Sequence, residues 1–390
     1  MKKVHTILFT IIFLCSLGLC FNTENSYMAA VVDYAHIDGK YAKEILSANL
    51  EQYLQLMRNA SRDLADIIVF PEYGLTDIET MYEVVYQNVS NLEEYSTFVP
   101  DPELELVPCE DRKMENFSVQ LINISCAARI HSLYTVVNLL EKAENNETGN
   151  MEFFNTNVVF DRLGKVIAKY RKIHLSEESF LKPGTELVTF ETDFGVTFGI
   201  LTCFDILFKY PALDILSLPN VTDIIFPTAW YSETPFLQAL SVQHGYVKTN
   251  GINFLAAGLQ EPWKQDGGSG VFLADGTIAE SYITASKQTK IIIEEVPIIE
   301  EPIPASTCVN PIDDNKNNSR TLRKKRSAHE QLNDIDNFPI TRENISEYTF
   351  EPLAKGPRTL TQVCVGEKEF CCTFNVTVDK SSRLESNYTY

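Results

Sequence analysis

A chain of 390 residues, 44% of them hydrophobic, carries enough apolar material for one large domain plus a smaller one, or for two domains. Its formal charge of −20 excludes a surface built for nucleic-acid phosphates and disfavours one built for anionic membrane.

The chain opens with Lys2 and Lys3, an apolar run from Ile7 to Leu19, and Gly18 and Cys20 as small residues at a cleavage point. This reads as a secretory signal peptide over residues 1–20, too short for a comfortable membrane span. No later stretch is long enough to cross a bilayer, and the polar residues from Ser381 to Tyr390 carry no lipid-anchor signal, so a secreted, extracellular protein is expected. In that compartment the ten Asn-x-Ser/Thr sequons, at Asn59, Asn88, Asn116, Asn123, Asn146, Asn220, Asn317, Asn344, Asn375 and Asn387, are expected glycan sites. Loss of Cys15 and Cys20 with the signal leaves seven of the nine cysteines, and an odd number in an oxidising compartment leaves one thiol free. Parity alone does not say which; setting Cys203 aside leaves six, enough for three disulfides.

Met28 to His36 reads as a strand, and Tyr41 to Leu64 as an amphipathic helix with Ala42, Ile45, Leu46, Leu50, Tyr53, Leu54 and Met57 at helical spacing. Asp66 to Phe70 is a buried strand closed by Pro71 and followed by Glu72. The stretch from Thr80 to Asp111 is acidic, aperiodic and broken by prolines, a surface excursion or lid. Phe117 to Ile130 predicts a helix feeding a strand at Leu133 to Leu140, then a polar loop at Glu141 to Asn150. Asn155–Phe160 and Lys165–Tyr170 flank a hairpin turn, and the returning strand runs into Arg171 and Lys172.

Val196 to Phe208 is an apolar, β-branched run that delivers Cys203 where the chain leaves a sheet. A helix near Pro211 to Leu218 leads to a strand at Asp223–Phe226, closed by Pro227. Asp66-Ile-Ile-Val-Phe-Pro-Glu and Asp223-Ile-Ile-Phe-Pro-Thr echo each other weakly, which two related halves packed as sheet on sheet would explain, and coincidence nearly as well. A helix from Phe236 to Lys248 and strands at Asn253–Ala257, Gly270–Leu273, Ile278–Tyr282 and Lys290–Val296 complete a unit placed at residues 25–296. Residues 297–390 hold a Pro- and Glu-rich linker, the basic run Arg323-Lys324-Lys325-Arg326, which is a convertase site or a solvated loop, and strand character from Thr361 to Val378.

Glu72, Lys172 and Cys203 each follow an apolar run, at the edge of a sheet where sites are normally built. Taken singly they also read as a surface carboxylate, a solvated strand end and a small buried hydrophobe. As a set with their flanking strings they carry more. Phe70-Pro-Glu-Tyr-Gly-Leu75, Tyr170-Arg-Lys-Ile-His-Leu175, Phe198-Gly-Ile-Leu-Thr-Cys-Phe-Asp-Ile-Leu-Phe208, Phe226-Pro-Thr-Ala-Trp230 and Gly268-Ser-Gly-Val-Phe272 resemble the nitrilase superfamily in its vanin and biotinidase branch.

The resemblance implies an α/β fold, a four-layer α-β-β-α sandwich followed by a smaller β-rich C-terminal domain that is truncated or shortened here. It implies hydrolysis of a linear amide, of pantetheine to pantothenate and cysteamine in vanin-like members or of biocytin in biotinidases, with no metal or other cofactor. Glu72 would then be the general base, Lys172 the stabiliser of the tetrahedral intermediate, Cys203 the nucleophile, and Glu178, or Glu177 by a one-residue slip, a second carboxylate. The Phe204 backbone N–H would join Lys172 in holding the oxyanion. Tyr73, Trp230 and Tyr231 would line the acyl pocket or belong to the core. His174 and His244 lack metal-ligand spacing. A catalytically silent secreted binding protein is the competing reading.

Overall fold

The computed structural model describes residues 25–111, 117–234, 236–303, 341–342, 358–365 and 370–377. The expected signal peptide, the basic run at 323–326 and the sequons at Asn116, Asn317, Asn344 and Asn387 lie outside the described residues.

The chain divides into two compact units, Met1–Thr341 and Arg342–Tyr390. In the first, the described elements run β1 (Ser26–Asp33), α1 (Ala42–Arg62), β2 (Ile67–Val69), α2 (Ile78–Gln87), α3 (Val119–His131), β3 (Tyr134–Glu144), β4 (Met151–Phe160) and β5 (Val166–Arg171). They continue with β6 (Thr189–Glu191), β7 (Thr197–Ile200), β8 (Val221–Thr228), α4 (Ala239–Asn250), β9 (Asn253–Gly258), β10 (Ser269–Phe272), β11 (Ile278–Tyr282) and β12 (Lys290–Pro297). The second unit contains the antiparallel pair β13 (Arg358–Val365) and β14 (Phe370–Thr377), whose register sets Cys364 opposite Cys371.

Two six-stranded mixed sheets result, ordered β12-β1-β2-β3-β4-β5 and β11-β10-β9-β8-β7-β6. Period-2 alternation sorts their side chains into layers. Ile67 and Val69 of β2 join Ile225 of β8 and Leu255 of β9 in the cluster between the sheets. Ile68, between them in sequence, packs with Leu50, Tyr53 and Met57 of α1 and Leu121 and Ile124 of α3. On the far side, Ile224 and Phe226 of β8 pack with Tyr246 and Val247 of α4. The order is therefore helix, sheet, sheet, helix, as the resemblance implies.

The echoed strings occupy equivalent places. β2 lies between parallel neighbours β1 and β3, and β8 between parallel neighbours β7 and β9. Each sheet thus has the same three-strand parallel centre, which favours two related halves over coincidence.

Three local expectations change. The stretch after Thr80 is not aperiodic throughout: it holds most of α2, because Asp77 caps the Thr80 N–H at 3.1 Å and Ile78 and Met81 share a buried face. The strand before Glu141 runs on to Glu144, paired with Met151, so the polar loop is shorter than its composition suggests. Near Pro211 the chain forms only short turns, Lys209–Ala212 and Ile215–Ser217, in place of one helix.

Cys109 and Cys126 form a disulfide, and Cys203 is free and buried. Asn88, Asn146 and Asn220 are exposed, whereas Asn59 on α1 and Asn123 on α3 are half-buried. Among the described residues no helix is long and apolar enough to cross a membrane.

Candidate active site

The structure brings Glu72, Lys172, Glu178 and Cys203 to one cavity of about 400 Å³. Glu72 arrives because β2 gives way at Pro71, just past the Phe70 N–H bonded to Val136 at 3.0 Å. Lys172 follows β5 and stays tied to its neighbour β4 and to the later loop: its N–H donates to the Asn155 carbonyl and its own carbonyl accepts from Gly184 N–H, both at 2.8 Å. A Cβ on Gly184 would stand 2.1 Å from the Arg171 carbonyl oxygen, so this close approach requires glycine. Cys203 opens a tight turn, Cys203–Leu207, three residues beyond β7, and its φ of +44° is a conformation that non-glycine residues seldom adopt.

The charges are arranged around one ammonium. Lys172 Nζ donates to Glu72 Oε1 at 2.8 Å and to Glu178 Oε2 at 2.9 Å, and all three side chains are buried. Asn155 Nδ2 bridges the same carboxylates, 2.7 Å from Glu72 Oε1 and 2.9 Å from Glu178 Oε1. Ala229 N–H holds the other Glu72 oxygen at 2.9 Å; Ser176 N–H and the Tyr73 hydroxyl hold Glu178 at 2.7 and 2.5 Å. The Cys203 thiol donates to the Ala229 carbonyl at 3.3 Å.

Burial pushes the Glu72 carboxyl above the ordinary carboxylate value, Lys172 pulls it back, and the Glu178 charge pushes it up again. Glu178 is also desolvated, but Lys172 and its hydrogen bonds outweigh that and its pKa is lowered. Burial alone would favour a neutral Lys172; the two carboxylates overcome it and keep the ammonium charged. Burial and the Glu72 charge hold the Cys203 thiol well above its usual value, with Lys172 opposing them. Deprotonating this sulfur thus needs a base beside it, and Glu72 is the carboxylate whose proton affinity is raised.

Glu177 and Glu178 separate cleanly. Glu178 turns inward onto Lys172, while Glu177, at φ +65°, is exposed at the cavity wall. Tyr73 lines the cavity yet is buried, its hydroxyl spent on Glu178; Trp230 is buried, with its indole N–H on the Leu237 carbonyl at 2.7 Å; Tyr231 is 43% exposed at the opening. Phe204 lines the same space, and its N–H precedes the first bond of the turn, Asp205 N–H to Thr202 O.

The sequence reading missed the scaffold. Asn138 donates to Asn155 Oδ1 at 2.7 Å and Asn157 Oδ1 at 2.9 Å and accepts from Tyr73 N–H at 2.9 Å; Asn157 in turn donates to the Thr202 hydroxyl at 2.8 Å. Asp205 accepts from the Tyr170 hydroxyl at 2.7 Å, His174 N–H at 2.8 Å and Thr202 N–H at 3.1 Å. One carboxylate thus brackets Lys172 on both sides and grips the residue before Cys203. The available signal was the polar run Asn155-Thr156-Asn157 set between the apolar pairs Phe153-Phe154 and Val158-Val159 of one strand. Asp205→Asn keeps the shape but loses the charge and one acceptor; we predict a kcat lowered about tenfold with little change in KM, measurable by steady-state kinetics.

His174 and His244 are structural, their Nε2–H groups donating to the Tyr210 and Gly276 carbonyls at 2.6 and 2.8 Å. Away from the cavity, His36, Asp38 and Glu261 set ligand atoms within 4.8 Å of one another. Lysine ammoniums already answer those carboxylates, Lys287 at 3.0 Å from Asp38 and Lys264 at 2.5 Å from Glu261. A second cation there would face two positive charges.

The carbon-nitrogen hydrolase family matches residues 28–245. Vanin-like protein 1 of Drosophila melanogaster is 32% identical over 386 residues, covering 93% of this chain and 63% of that protein. Pantetheinase of Canis lupus familiaris is 30% identical over 307 residues, 73% of this chain and 58% of that protein. The chain therefore spans less than two thirds of the length of either relative. Among solved structures, Nit3 of Saccharomyces cerevisiae, described as a member of branch 10 of the nitrilase superfamily, superposes with a TM-score of 0.55 at 18% identity, over 75% of this chain and 96% of that one. Sheet order, layering and sequence agree, and the chain belongs to the carbon-nitrogen hydrolase family.

Proposed function

We propose that this chain is a secreted glycoprotein amidase that cleaves a linear amide through an acyl thioester on Cys203, with pantetheine as its substrate. The observation that carries the proposal is the Lys172 ammonium clamped between Glu72 and Glu178 beside a free thiol in an open cavity. The relatives' printed names, a vanin-like protein and a pantetheinase, supply the substrate class.

In the first half-reaction Glu72 takes the thiol proton as sulfur attacks the amide carbonyl. The oxyanion that forms is met by the Lys172 ammonium and the Phe204 N–H; one such donor is worth roughly a hundredfold to a thousandfold in rate. Glu72 then returns the proton to the leaving nitrogen, and the amine departs. Water, deprotonated by Glu72, attacks the thioester; the acid leaves and the thiol is restored. Glu178 keeps Lys172 charged and aimed throughout.

Incubating the purified protein with pantetheine and with biocytin, and following cysteamine, pantothenate and biotin, tests this directly. Release of pantothenate and cysteamine is expected. Cleavage of biocytin alone would transfer the reading to a biotinidase-type activity, and cleavage of neither would leave the silent binding protein.

A further inference from the structure

Resting on the amidase reading, the cavity also carries information about which amides enter it. Five ionisable acid and lysine side chains line it: Glu72, Lys172, Glu177, Glu178 and Glu233. Lys172 is the cation among them, and its charge is taken up by Glu72 and Glu178. What remains facing an incoming molecule is Glu177, exposed, and Glu233, half-buried, with Tyr82, Leu207, Tyr231 and Leu237 as uncharged wall. The cation beside the Tyr231 end is no better available: Lys264 lies 3.3 Å from Asp77, 3.0 Å from Glu79 and 2.5 Å from Glu261. The chain's formal charge of −20 adds a field of the same sign.

We propose that Glu177 and Glu233 make this a charge-selective entrance, admitting linear amides that are neutral or cationic outside the scissile group and rejecting those that carry a carboxylate. A partly enclosed, apolar-walled cavity strengthens such interactions over their value in bulk water. Two carboxylates acting together discriminate by about tenfold against a like charge on the substrate. The same field acts on the products. Hydrolysis creates a carboxylate on the acyl side and an ammonium on the amine side, and the wall favours departure of the acid. Pantetheine is uncharged and fits this entrance; biocytin carries an α-carboxylate beside an α-ammonium, so matched amides with at most one charge each are what read out the selection.

The test uses two sets of matched amides, one varying the end of the amine arm and one the end of the acyl arm, each with a neutral, an ammonium and a carboxylate member. For the wild type, kcat/KM of the carboxylate member is expected to lie at least about tenfold below that of the neutral one in one or both sets. In Glu177→Gln/Glu233→Gln that gap closes, and in the wild type it shrinks as ionic strength rises from about 0.01 M to about 1 M. Equal kcat/KM for carboxylate and neutral members in both sets, or a gap unmoved by both the double substitution and salt, overturns the proposal while leaving the amidase intact. If no amide is cleaved, the amidase reading fails, and binding of the same compounds to Cys203→Ala by calorimetry still decides charge selection: tighter neutral than carboxylate binding upholds it, equal binding refutes it.

Discussion

Cys203→Ala is expected to lower amide hydrolysis by about a millionfold while the protein keeps its fold. The thiol is a buried, uncharged group that donates to the Ala229 carbonyl. Its removal leaves no buried charge unpaired, and the alanine occupies less space in a cavity that already exists. Loss of turnover with an unchanged melting temperature separates a chemical role from a structural one. Retained turnover would place the nucleophile elsewhere.

Lys172→Met is expected to fail differently, in stability as well as in activity. The ammonium answers two carboxylates that are both buried, and breaking such an arrangement costs about 3–5 kcal/mol because the charges it leaves have no counter-ion. The pair's contribution to the pH dependence of stability, in which a raised Glu72 and a lowered Glu178 oppose each other in the wild type, should become one-signed. In the wild type Glu178 has a lowered folded pKa, so its contribution is present above the unfolded value and is lost as acid protonates it. Without Lys172, burial raises both carboxyls, the folded state binds more protons than the unfolded one, and acidification stabilises. Melting temperatures measured from neutral to mildly acidic pH should therefore rise in the variant as pH falls. Turnover should drop by at least a hundredfold, since the positive charge that meets the oxyanion is gone. A variant melting like the wild type at every pH would show that Lys172 does not hold the carboxylate pair.

Glu72 and Cys203 were legible because each follows a largely buried strand, which writes an apolar run plainly into sequence, and Lys172 because it follows a strand of alternating burial. Glu178 was legible only through the resemblance. It sits in an aperiodic turn, inward because Ser176 N–H and the Tyr73 hydroxyl reach it and because Glu177 takes a positive φ, none of which has a spacing to read. The asparagine ladder and Asp205 were hidden for a related reason: most of their partners are 17 to 83 residues away in sequence, and only the fold makes them neighbours. The Thr80–Asp111 stretch misled because its acidic residues and prolines mask a short amphipathic helix whose buried face is Ile78 and Met81. The layering came from the resemblance; in β2 and in Ile224–Phe226 of β8 every residue is apolar, and only the structure shows alternate residues serving two different cores.

The central claim is that Cys203 becomes acylated, and mass spectrometry of the protein acid-quenched during turnover of pantetheine examines it most directly. The peptide bearing Cys203 should carry the mass of the pantothenoyl group in a linkage that hydroxylamine removes. Steady turnover with that peptide unmodified, or with the acyl group on another residue, would contradict the account.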